Sequence, residues 1–145
     1  IDMPGHLKHA AGDSFDRIYL SYEGLIPSSR FTADFRPDDG FLYRRGETPM
    51  PAHMIRAYQV STDGGPGPWL GGITLDPTVV SEAWCHQRGY VCFIQEIGLL
   101  PVAEGESFGA AYAVGWFDNV EQMQQVAAEH AGARGIALEG GFALV

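Results

Sequence analysis

Asp76-Pro77-Thr78-Val79-Val80-Ser81-Glu82-Ala83-Trp84-Cys85-His86-Gln87-Arg88-Gly89 is the stretch on which the reading of the chain turns. Asp76 is suited to accept backbone N–H bonds as an N-cap, Pro77 to a first helical position, and Gly89 to a left-handed stop. Between them Val79, Val80, Ala83 and Trp84 fall on one side of a helical wheel. The spacing predicts a helix over 76–88 with Trp84 turned inward, Cys85 turned outward, and His86 at the edge within reach of Glu82.

Outward from that stretch, 90–97 is apolar on both faces and reads as a central strand. Residues 107–117 read as a second long strand. Phe108, Tyr112, Val114 and Trp116 alternate with the small residues Gly109, Ala111, Ala113 and Gly115. Asp118 with Glu121 three positions on is a capping-box-like start to a second helix that ends at Gly132. A final strand or split pair is expected from 136–138 and 142–145. Upstream, 15–22, 30–36, 41–45, 53–60 and 70–75 carry strand patterns, the last weakened by Gly71 and Gly72. The run 63–68, Asp-Gly-Gly-Pro-Gly-Pro, reads as a loop.

The expected fold is therefore α+β, an antiparallel sheet with two helices on one face. Its element order over 70–145 resembles the split βαβ (ferredoxin-like) arrangement, with extra antiparallel strands contributed by the N-terminal part. Residues 1–14 read as a mobile tail and 15–145 as a single domain. That resemblance rests on element order and carries no functional weight.

Composition bounds the function. The chain has 145 residues, 46% of them hydrophobic, and 18 acidic against 9 basic residues give a formal charge of −9. A nucleic acid or an anionic membrane as main partner is not expected, because both require clustered Lys and Arg. From position 90 onward Arg134 is the only basic residue, so a cavity built there is expected to favour neutral or cationic ligands. Two cysteines make no disulfide framework, and a cytoplasmic setting is the expectation. His6 and His9 lack further ligands nearby, and no HExxH, CxxC, GxGxxG or GxxxxGK pattern occurs. Neither a metal nor a cofactor is expected.

Three functions stay open. The first is a binding domain for a small, partly apolar, neutral or cationic organic molecule in a pocket of Trp84, Tyr90, Phe108, Tyr112 and Trp116. The second is a cofactor-free acid/base enzyme (isomerase, lyase or hydrolase), with Glu96 desolvated on its strand and His86 or Tyr112 assisting. The third is an interaction protein that forms a homodimer. Gln95, pointing away from Glu96, would orient a ligand only if the site lay on its face of the strand.

Overall fold

The chain turns a corner at Asp76 instead of entering a long helix. The structure is a computed structural model describing residues 2–3, 15–27, 42–87 and 91–145, with backbone alone for 2, 3, 16, 86, 87, 91 and 92. The capping chemistry read from the sequence is present: the Asp76 side chain accepts from the Thr78 amide at 2.9 Å and Pro77 opens the turn. That turn is a single 3-10 turn, Pro77–Val79, and the backbone then extends into β7, Val80–Gln87.

The predicted helix over 76–88 is thus overturned, and with it the two-helix, ferredoxin-like arrangement. The helix-like spacing comes from a β-bulge. The pairing of β7 with β8 (Val91–Ile97) shifts between Val80 and Glu82, so Ser81 is an extra residue on one strand. Its hydroxyl donates to the Glu96 carbonyl at 3.0 Å. A bulge breaks the period of two, so Val79, Val80 and Ala83 are all buried, a spacing that copies one face of a helix. Beyond the bulge the strict alternation returns. Ala83 and Cys85 point inward, and Cys85 is fully buried rather than outward-facing.

Among the described residues the strands form two larger antiparallel sheets and one two-stranded pair. One has the order β3-β2-β5-β6-β9, built from Gly24–Pro27, Phe15–Leu20, Met54–Thr62, Gly65–Thr74 and Tyr112–Phe117. The other has the order β1-β8-β7-β4, with β1 at Asp2–Met3 and β4 at Tyr43–Arg44. Asp2 and Met3 pair with Cys92 and Val91. The expected strand at 30–36 and the rest of the expected 1–14 tail lie outside the described residues. Asp63-Gly64 makes a two-residue hairpin turn, with Gly65 at φ 110°. The expected loop therefore shrinks to its first two residues, and β6 begins at Gly65.

Among the described residues the one α-helix is α1, Val120–Glu129. Its N-cap is Asn119, which accepts from the Gln122 amide at 2.8 Å, one residue on from the expected Asp118. After it, β10 (Ile136–Ala137) and β11 (Ala143–Leu144) form the expected split pair.

Alternation sorts the five-stranded sheet into two faces. Ile55, Ala57, Trp69, Ile73 and Ala111 pack under Met123 and Ala127 of α1. Ile18, Leu20, Tyr58 and Leu70 face the opposite way and meet Cys85 and Phe93 of the four-stranded sheet. The Tyr58 and Phe93 rings lie 5.2 Å apart. The adjacent Gly71 and Gly72 serve one face each. A Cβ on Gly71 would lie 2.6 Å from the Met123 sulfur, and one on Gly72 would collide with the Tyr112 hydroxyl. They do not weaken β6 so much as admit the helix on one side and a phenol on the other.

Candidate functional site

Arg56 is the residue that organises the space between the sheets. It sits mid-strand in β5, where alternation puts it on the same face as Tyr58, and it is 0% exposed. Its guanidinium reaches across to β8. Nη1 donates to the Ile94 carbonyl, Nη2 donates to Gln95 Oε1 at 3.0 Å, and Nη2 also approaches the Tyr112 hydroxyl at 3.5 Å. The Tyr112 ring centroid is 5.8 Å from Cζ. Arg56 Nε is buried with no hydrogen-bond partner. Among the described residues no carboxylate pairs with it.

A buried guanidinium costs several kcal/mol of lost hydration unless a counter-charge is supplied, and its partners among the described residues are all neutral. Gln95 Oε1 takes a second bond from the Thr74 hydroxyl. With its oxygen held by two donors, the amide is oriented with Nε2 as its remaining polar group. Burial pushes the Tyr112 phenol up to about 12, against an opposing pull from Arg56. It is a protonated donor at neutral pH. Burial likewise raises the Tyr22 phenol well above its ordinary value, and its hydroxyl donates to the Ala83 carbonyl at 3.1 Å.

Phe93, Ile94, Gln95 and Tyr112 line a cleft of about 370 Å³ beside this network. Gln95 and Tyr112 each touch both the cleft and the guanidinium. A few polar groups among apolar walls, as these described residues provide, is the usual composition of a small-molecule site.

The residues expected to act together are largely separated. Tyr112 lies at the cleft. Glu96 is on the other face of β8, opposite Glu82 in the register, and is exposed. Its carboxylate thus lacks the desolvation that a general acid or base role called for. His86 is placed by its backbone, opposite Cys92. Of the expected aromatic walls, Trp84 is half-buried on the outward face of β7, Phe108 is 53% exposed before β9, and Trp116 is 59% exposed on β9. Tyr90 lies outside the described residues.

Glu96 lines a different groove of about 380 Å³, with Arg44, Arg45, Ser81, Glu82, Gly98 and Leu99. There Arg44 donates to Glu82 at 2.7 Å and to Glu47 at 3.1 Å. These are exposed pairs of small energetic weight.

Sequence reasoning missed Arg56 as a site residue, counting it only among the arginines of 30–56. The signal was there: Met54, Ile55, Ala57 and Tyr58 make β5 apolar on both faces, so a charge at 56 has no outward side.

Among the described residues no helix is long and apolar enough to cross a membrane, and no group of three or more His, Cys, Asp or Glu is placed to hold a metal ion. Comparison with protein-family models, curated proteins and solved structures gives no match for this chain.

Proposed function

We propose that this protein binds a small organic molecule in the cleft lined by Phe93, Ile94, Gln95 and Tyr112. The observation that carries the reading is Arg56, a fully buried cation joined to the two polar groups of that cleft and paired with no carboxylate among the described residues. A side chain that only tied the sheets together would do so more stably as an apolar residue of similar size, because replacing a buried charge is often neutral or stabilising. An arginine that holds two donors at the edge of a cleft has a use when something occupies it.

The test is a fragment screen by amide and side-chain NMR. Ligands are expected to move the Gln95 side-chain amide and the backbone signals of 93–95. A ligand present at about a hundred times its Kd should add about 2.7 kcal/mol of stability. If fragments of every charge type leave these signals unmoved at millimolar concentration, the cleft is not a binding site.

A further inference from the structure

We infer that the ligand carries a carboxylate, accepted by Gln95 Nε2 and the Tyr112 hydroxyl with the Arg56 guanidinium behind them as the counter-charge. This rests on the reading of the cleft as a ligand site and names the class of molecule that the site takes.

The first reason is the polarity of the hydrogen bonds. Gln95 Oε1 accepts from Arg56 and Thr74, and its Nε2 donates to no protein atom among the described residues. The Tyr112 oxygen accepts from Arg56, and its proton likewise has no acceptor there. The Ile94 carbonyl is consumed by Arg56. Among the described residues the free side-chain groups of the cleft are donors, and a donor needs an acceptor on the ligand.

The second reason is charge. The acids that suggested a neutral or cationic ligand are directed elsewhere. Glu96 faces outward, Glu104 and Glu106 are on an exposed loop, and Asp118 and Glu121 are exposed at the start of α1. Among the described residues the charge bonded to the polar groups of the cleft is the buried Arg56 cation, in surroundings that screen it far less than water does. An ammonium ligand would be repelled by it, and an anion would be held.

The third reason is number. Two donors backed by one positive charge match the two oxygens and single charge of a carboxylate. A phosphate monoester brings three acceptor oxygens and a charge near −1.5 to −2, more than this set satisfies. Arg56 acts here as a positioning residue: it does not line the cleft, and it acts through Gln95 and Tyr112.

Matched probes test the assignment: acetate and benzoate against acetamide, benzamide and benzylamine, followed by NMR titration on the wild type, Arg56→Met and Tyr112→Phe. Benzoate is expected to bind about tenfold or more tightly than benzamide, since an ionised acceptor makes the stronger bond, and benzylamine is expected not to bind. Arg56→Met should bring benzoate down to the benzamide level while leaving benzamide within about threefold, a selective loss that a merely structural role would not produce. If Arg56→Met does not fold, Tyr112→Phe carries the same test by losing one donor, with benzoate weakened more than benzamide. Binding of benzamide or benzylamine at the cleft as tight as that of benzoate overturns the carboxylate assignment and leaves the cleft reading standing. No response at 93–95 or at the Gln95 side chain to any probe at millimolar concentration overturns the cleft reading itself.

Discussion

Substituting Gly72 with alanine puts a methyl group where the Tyr112 hydroxyl now lies. The added Cβ would fall inside the hydroxyl's contact radius, 2.9 Å from Tyr112 Cζ and 3.0 Å from Phe93 Cδ2. Ordinary contact begins near 3.4 Å, so the Tyr112 hydroxyl must retreat by about an ångström. Its approach to Arg56 is already 3.5 Å, at the limit of a hydrogen bond, so the retreat breaks it. Overpacking of this kind costs roughly 1–3 kcal/mol. The entropy that alanine removes from the unfolded chain returns about 0.4–1 kcal/mol of that.

The net expectation for Gly72→Ala is a loss of about 1–2 kcal/mol, which for a chain of this size lowers Tm by roughly 2–8 °C. Thermal and urea unfolding of Gly72→Ala, Tyr112→Phe and the double variant measure it. Removing the hydroxyl relieves the worst contact, so the double variant should be more stable than the sum of the single losses by about 1 kcal/mol. Gly71→Ala is the control. Its Cβ meets Met123 and Phe117 on the helix-covered face, so it should destabilise without coupling to Tyr112→Phe. If Gly72→Ala and Tyr112→Phe prove additive, or Gly72→Ala is stabilising, the phenol is not packed against β6 and does not line the cleft.

Three further outcomes follow from the same geometry. Asp76 accepts from Thr78 and, at 2.5 Å, from Arg134. Burial alone would raise its carboxyl, but these bonds outweigh it and hold the group below its ordinary value. The resulting stabilisation is present above about pH 4 and is lost as pH falls through the lowered folded value. Asp76→Asn should flatten that acid limb in urea titrations at a series of pH values, and an unchanged limb would show that the carboxylate contributes nothing.

Tyr112 works in the opposite sense. Its folded value near 12 lies above that of an unfolded tyrosine at about 10. Stability should hold below about pH 10 and decline above it, less steeply in Tyr112→Phe, and ultraviolet difference titration should find a phenol ionising near 12. Gly109→Ala drives a methyl into the Arg134 carbonyl, whose carbon would be only 3.2 Å away. A backbone atom cannot swing aside, so the hydrogen bonds from Arg134 and Gly135 to the Val145 carbonyl should loosen. Faster amide exchange at 134 and 135 together with a loss of about 1–3 kcal/mol is expected, and unaltered exchange would contradict it.

The elements that were legible in the sequence are those whose signals are local. Phe15–Leu20, Met54–Thr62 and Val91–Ile97 form strands where branched and aromatic residues run together. The helix at Val120–Glu129 follows its cap to within one residue. Asp76-Pro77 makes the helical turn its chemistry specifies, yet the chain leaves it after Val79. Nothing within residues 76–88 favours strand over helix strongly enough to decide. The choice comes from β8 and β4, which flank β7 and satisfy its backbone. The bulge at Ser81 then makes the buried positions look helical.

For the site, the sequence singled out Tyr112 and identified Gln95 as facing away from Glu96. It grouped Tyr112 with Glu96 because side-chain chemistry can be read along a chain without knowing which face of a sheet each group occupies. That face is set by strand pairing, which brings together residues such as Arg56, Thr74, Gln95 and Tyr112 that are far apart in sequence. By itself the sequence determined most of the strands, the capped turn at Asp76 and the helix at Val120–Glu129, since short-range sterics and hydrogen bonding suffice for those. Only the tertiary structure decided that 80–87 is a strand, that Arg56 meets Gln95 and Tyr112, and that Glu96 faces solvent, because each depends on what packs against it from elsewhere in the chain.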